Sequence, residues 1–142
     1  MQLGSLLQKE HLICLEGDLG AGKTTLVQGI AAGWGSASAV TSPTFVLVNV
    51  YKRPDGARLA HLDAYRLESA KDSESLDIDL LLTQGPVVIE WAQNIEAALP
   101  EERLWMKFFW IDEGRRRLEI APQGERYQPI AAGLQETVFG FA

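Results

Sequence analysis

The run Gly17-Asp18-Leu19-Gly20-Ala21-Gly22-Lys23-Thr24 constrains this chain more than any other, because it satisfies G-x-x-x-x-G-K-[ST] at every fixed position. Its glycines let the backbone curl with successive N–H groups turned inward, a nest for phosphate oxygens at the positive end of the helix that follows. Lys23 adds a mobile charge for the β- and γ-phosphates, the Thr24 hydroxyl is placed to coordinate Mg²⁺, and Thr25 adds a donor for the α-phosphate. Such a loop works only between a strand and a helix. Both are legible without the motif: Leu12 to Glu16 is a short apolar run closed by Gly17, and Thr24 to Trp34 has helical character with Gly33 and Gly35 as stop signals.

A phosphate cradle hydrolyses nothing by itself, so the carboxylates matter next. Val87-Val88-Ile89-Glu90 has the form of a buried strand that delivers an acid at its C-terminal end, a Walker-B-like arrangement at the edge where open α/β sheets bind ligands. Leu59-Ala60-His61-Leu62-Asp63 offers a second acid in the same way. His61 stands two residues before Asp63, so both side chains share one face of a strand. That spacing allows a His–Asp acid/base pair, but a satisfied histidine in the core or at its rim is the favoured reading. Trp91, directly after Glu90, is placed to wall the site, whereas Trp105 and Trp110 read as core or hairpin packing.

The remaining elements follow from period and turn chemistry. Phe45 to Tyr51 and Arg58 to Asp63 flank Pro54-Asp55-Gly56 as a hairpin, and Leu104 to Ile111 and Arg116 to Ile120 flank Asp112-Glu113-Gly114 as another. Leu67 to Leu82 reads as one or two short helices ended by Gly85-Pro86, a short helical patch precedes Pro100, and Gln128 to Ala142 is a weakly patterned helix or frayed end. The expected fold is α/β: one P-loop NTPase-like domain over residues 1–142, with a mixed central β-sheet flanked by helices. A chain of 142 residues supports one core and not two.

Charge and composition narrow the partners. A net charge of -6 argues against a free-standing nucleic-acid binder, whose affinity comes from neutralising phosphates. The one tight cationic run, Arg115-Arg116-Arg117, reads as a solvated turn-to-strand junction. No apolar run has the length of a membrane span, and the first ten residues lack the order of a signal peptide, so a cytoplasmic location is expected. Cys14, the single cysteine, lies in the apolar run Leu12-Ile13-Cys14-Leu15 and reads as a buried structural thiol. Guanine is disfavoured as the base because no Asn-Lys-x-Asp run occurs.

Taken together, the P-loop block through Leu26, Ser42-Pro43-Thr44-Phe45, His61-Leu62-Asp63-Ala64-Tyr65-Arg66-Leu67 and Val88-Ile89-Glu90-Trp91 resemble, in order and spacing, the bacterial TsaE (YjeE) family. The resemblance runs from about Leu3 to about Ile120, and the tail after Pro122 matches no family block. It implies a slow Mg²⁺-dependent ATPase needed for the threonylcarbamoyladenosine modification of tRNA, acting with the TsaB–TsaD complex and touching tRNA only through those partners. It further implies that Gly20, Ala21, Gly22, Lys23, Thr24 and Thr25 bind the phosphates, that Thr24 and Glu90 hold Mg²⁺, and that Asp63 acts near the γ-phosphate. Thr44 falls in the family's switch-like segment as a second contact to metal or γ-phosphate, and Trp91 belongs to the acid-Trp motif. Two other readings stay open on the residues alone, a P-loop small-molecule kinase and a nucleotide-gated binding module whose hydrolysis is incidental.

Overall fold

The computed structural model describes residues 7, 8, 10–17, 30, 32–36, 38–41, 48–64, 77–112 and 115–136. Its centre is a seven-stranded sheet in the order β2-β3-β4-β5-β1-β6-β7. The strands are β1 (Leu12–Gly17), β2 (Ser38–Thr41), β3 (Val48–Lys52), β4 (Arg58–Asp63), β5 (Val87–Glu90), β6 (Arg103–Asp112) and β7 (Arg115–Gln123). β4, β5, β1 and β6 run parallel, and antiparallel strands complete both sides. The sheet is therefore mixed, as expected, with a parallel centre.

The parallel centre explains the continuous apolar run of β1. A strand covered on both faces cannot alternate apolar and polar residues, because both sets of side chains meet a core. Ile13 and Leu15 face one cluster with Val88, Leu104 and Met106, which Ile30, Trp34, Tyr127 and Ile130 cover. Leu12 and Cys14 face the other with Leu62, Ile89 and Trp105, covered by Ile78, Leu82, Ala92 and Ile95. Each fully buried aliphatic side chain of this kind stabilises the fold by roughly 1.5–3 kcal/mol. Burial also pushes the Cys14 thiol up to about 12, which makes it the structural thiol the sequence suggested.

Both expected hairpins form: β3 pairs with β4 across the Pro54-Asp55-Gly56 turn, and β6 pairs with β7. The helical segment that follows the glycine-rich run ends at Trp34, where the Gly35 N–H bonds the Ala32 carbonyl at 3.1 Å. Within the stretch read as one or two helices, α1 (Ile78–Gln84) is capped by the Asp77 side chain; residues 65–76 lie outside the described ones. Ala92–Ala98 forms a 3₁₀ segment broken at Ile95. The weakly patterned tail is helical from Gln128 to Glu136 (α2). Strand β2 was not expected, since the four residues Ser38–Thr41 are too short a run to signal a strand by themselves; pairing with β3 makes them one.

α2 is preceded by an anchor with a clear job. The Tyr127 ring is fully buried, its hydroxyl accepts from the Leu12 N–H at 2.8 Å and donates to the Glu10 carbonyl at 3.2 Å. The hydroxyl thus pairs a backbone donor at the entry of β1 from 115 positions away. Tyr127→Phe is expected to orphan that buried N–H and lower stability by roughly 1–3 kcal/mol, read as a lower denaturation midpoint at unchanged denaturant slope.

Candidate functional site

Strand β1 ends at Gly17, whose φ of 149° lies in the region that favours glycine. A Cβ built there would stand 2.5 Å from the Phe108 carbonyl oxygen of the neighbouring β6. The glycine that opens the P-loop motif is thus demanded by the sheet itself as well as by the curl that follows it. Residues 18–29 lie outside the described ones, and with them Gly20, Ala21, Gly22, Lys23, Thr24 and Thr25; so do residues 42–47 with Thr44. What the structure places is the frame around them.

Glu90 and Asp63 are the last residues of β5 and β4 and are register partners across that parallel pair. Leu15, two residues before Gly17, is the register partner of Glu90 on the other side. The two acids and the start of the glycine-rich run therefore share the carboxyl edge of three adjacent parallel strands. The connections leave on opposite faces: Ile30 and Trp34, after β1, join one cluster, and Ala92 and Ile95, after β5, join the other. Connections that diverge in this way open a crevice at the strand ends, the usual place for a ligand in an open α/β sheet.

The electrostatics of the crevice centre on one contact. Glu90 is 8 % exposed and His61 is likewise 8 % exposed, and His61 Nε2 lies 2.7 Å from Glu90 Oε2. An ionised carboxylate only accepts, so Nε2 carries the proton in this contact. Among the described residues His61 Nδ1 is buried without a hydrogen-bond partner. The favoured reading of His61 as a buried histidine holds, with Nε2 its bonded nitrogen, and the bond goes to Glu90 where the alternative had it pair with Asp63. His61 shares a face with Asp63 but spends its one bonded nitrogen on the acid of the next strand, because β5 lies beside β4.

Trp91 follows with φ 59° and ψ 37°, a left-handed turn that costs a non-glycine residue on the order of 1 kcal/mol. It is half-buried and packs against the cluster around Ile89 and Ala92. The turn is held by the Ala64 N–H donating to the Glu90 carbonyl at 2.9 Å and by the Asn94 side-chain amide donating to the Ala64 carbonyl at 2.9 Å. The chain leaving Asp63 and the chain leaving Glu90 are thus tied together immediately after the acids. Asn94, which sequence reasoning passed over, carries no motif signal, since its role appears only when β4 and β5 are neighbours.

Other expectations resolve more simply. Trp105 is core, with its indole N–H donating to Glu16 Oε1 at 2.7 Å, and the Trp110 side chain lies outside the described ones. Arg117 is exposed on β7, its guanidinium stacked 4.4 Å over the Phe109 ring and 3.5 Å from Glu119, the solvated strand start expected of the arginine run.

The described carboxylates are compatible with the Mg²⁺ that the sequence suggests. Among the described residues no group of three or more His, Cys, Asp or Glu gathers to hold a metal alone. Mg²⁺ does not require one, because it keeps several waters and takes one or two carboxylates together with the phosphates of a substrate. Glu90 offers such an oxygen at the strand end, His61 having taken Oε2 and left Oε1, and Asp63 stands across the register.

A parallel-centred α/β domain, with a glycine-rich phosphate motif after β1 and acids ending β5 and β4, the next two strands on one side of it, defines the class of this protein. Comparison with known proteins narrows the class. The model of the family described as "Threonylcarbamoyl adenosine biosynthesis protein TsaE" matches residues 1–118, and the chain belongs to that family. It is 44 % identical over 108 residues to the tRNA threonylcarbamoyladenosine biosynthesis protein TsaE of Streptomyces coelicolor, covering 75 % of this chain and 73 % of that one. To the protein of the same name from Bacillus subtilis it is 39 % identical over 124 residues, 87 % of this chain and 77 % of that one. Among solved structures it is similar to Bacillus subtilis YdiB, with a TM-score of 0.74 and 31 % identity over 95 % of this chain and 84 % of the other. Tyr127 and α2 lie beyond the residues that the family model matches.

Proposed function

We propose that this chain is the ATPase of tRNA threonylcarbamoyladenosine biosynthesis, a cytoplasmic protein that binds ATP with Mg²⁺, hydrolyses it slowly and acts on the TsaB–TsaD complex. Membership of the TsaE family and the names of the relatives support the pathway. The single observation that carries the chemistry is the buried Glu90 carboxylate at the end of β5, one strand from the glycine-rich run that leaves β1.

In this reading the amides of Gly20 to Thr25 and the Lys23 ammonium hold the triphosphate, and Thr24 and Glu90 are the protein's oxygen donors to Mg²⁺. The ion, when bound, neutralises charge that develops on the phosphate oxygens. Asp63, register partner of Glu90, orients the attacking water, Trp91 walls the crevice, and Thr44 adds a switch-like contact to the γ-phosphate. No helix among the described residues is long and apolar enough to cross a membrane. The net charge of -6 favours tRNA contact through partners over direct binding.

Calorimetry with Mg–ATP, followed by reconstitution with TsaB and TsaD, tests this. Lys23→Ala and Thr24→Ala each delete a phosphate or metal contact and are expected to weaken Mg–ATP binding by about tenfold or more, since a charge-assisted hydrogen bond contributes roughly 1.5–3 kcal/mol. The same variants should fail to support modification in the reconstituted system. Unchanged affinity would remove the site assignment, and phosphate transferred to a small acceptor in place of release to water would favour a kinase.

A further inference from the structure

We propose that His61 is the positioning residue for Glu90: its Nε2–H holds the carboxylate by Oε2 and leaves Oε1 to serve as the metal donor. The inference rests on the nucleotide reading above and adds to it a residue that touches neither substrate nor metal. Glutamate has three side-chain torsions, and the backbone restricts the first of them while leaving the outer ones to be fixed by contacts. The register makes the contact diagonal: Val88 lies opposite His61, and Asp63 lies opposite Glu90. The bond at 2.7 Å therefore links positions offset by two register pairs along the sheet and pins the Glu90 side chain within it. Both side chains are nine-tenths buried, and water does not compete for the bond.

The use of the ring supports the same conclusion. Among the described residues Nδ1 is buried without a partner, so the one polar contact of the ring is the bond from Nε2 to Glu90. Buried polar atoms are almost always paired, and one left orphaned on the same ring is a cost that the contact to Glu90 offsets. Partners of metal-binding carboxylates fix ligand orientation in this manner, and losing one typically weakens metal affinity by about 10–100-fold.

The test is a titration of Mg²⁺ into the chain with ATP, read as binding and not as turnover, beside ATP binding in EDTA and a thermal melt. His61→Leu is expected to raise the Mg²⁺ concentration at half-saturation by about tenfold or more while ATP binding in EDTA stays at the wild-type level. His61→Gln, whose amide reaches to the Nε2 position, should recover most of that loss; His61→Asn, which ends short of it, should not. Should His61→Leu fail to fold, the Gln and Asn variants decide. An unchanged Mg²⁺ dependence, an equal loss with and without Mg²⁺, or a Gln variant no better than Asn each overturns the inference and leaves the nucleotide reading standing. If the wild-type chain shows no Mg²⁺-dependent ATP binding, that reading falls and His61 loses its role with it.

Discussion

Glu90→Gln is expected to lower Mg²⁺-dependent ATP turnover by about 10²–10³-fold, the usual cost of removing one preorganised charge contact from a transition state. The fold should survive. Gln is isosteric with Glu, and its carbonyl oxygen can still accept from His61 Nε2, which lies 2.7 Å from the present carboxylate oxygen. Replacing a buried carboxylate by a neutral amide also removes the desolvation cost of the charge, so stability is expected within about 1 kcal/mol of the wild type. Glu90→Ala would be a poorer probe, because it leaves a cavity and a buried ring N–H without an acceptor. Phosphate release measured with excess Mg–ATP, beside a thermal melt, separates chemistry from folding. Near-normal turnover with a normal melt would exclude Glu90 from the reaction.

A second substitution is expected to act almost entirely on the fold. A Cβ built at Gly85 would lie 1.7 Å from the Arg58 carbonyl oxygen and 2.7 Å from its carbonyl carbon. Both atoms belong to backbone, and no side-chain rotation relieves the overlap. Gly85→Ala must therefore push the junction of α1 and β5 away from the first residue of β4. That junction is bonded into the sheet, for the Ala60 N–H donates to the Pro86 carbonyl at 3.1 Å and the Val87 N–H to the His11 carbonyl at 2.9 Å. Overpacking a relaxed core costs roughly 1–3 kcal/mol, and a backbone clash belongs at or beyond the upper end, at about 4 kcal/mol. Against a total of roughly 5–15 kcal/mol, that is a large share. At roughly 2–4 °C per kcal/mol for a domain of this size, Tm is expected to fall by about 10 °C. A Tm within about 2 °C of wild type would show that the junction yields more easily than its geometry indicates.

Gly85 also shows where sequence and structure divide. As a stop signal before Pro86, it was legible from local chemistry alone, and α1 does end there. That a carbonyl from 27 positions earlier occupies the space of its missing side chain is a fact of packing. Gly17 repeats the lesson: the phosphate motif requires it for a curl, while β6 requires it for close approach. In both cases one residue answers two demands, and only the local one leaves a trace in the sequence.

The amino-acid sequence by itself determined the α/β class, both hairpins, the buried β1 and β5 and the acids that end β4 and β5, because each depends on periodicity, turn residues and apolar runs within a few positions. Tertiary structure alone decided that β5 would lie between β4 and β1, that Ser38–Thr41 would join as an edge strand, and that His61 would bond Glu90 and not Asp63. The physical reason is that strand order and diagonal side-chain contacts are set by which faces bury together in the whole chain. Two residues apart along one strand guarantees a shared face, but the hydrogen bond goes to whichever partner the neighbouring strand delivers within reach.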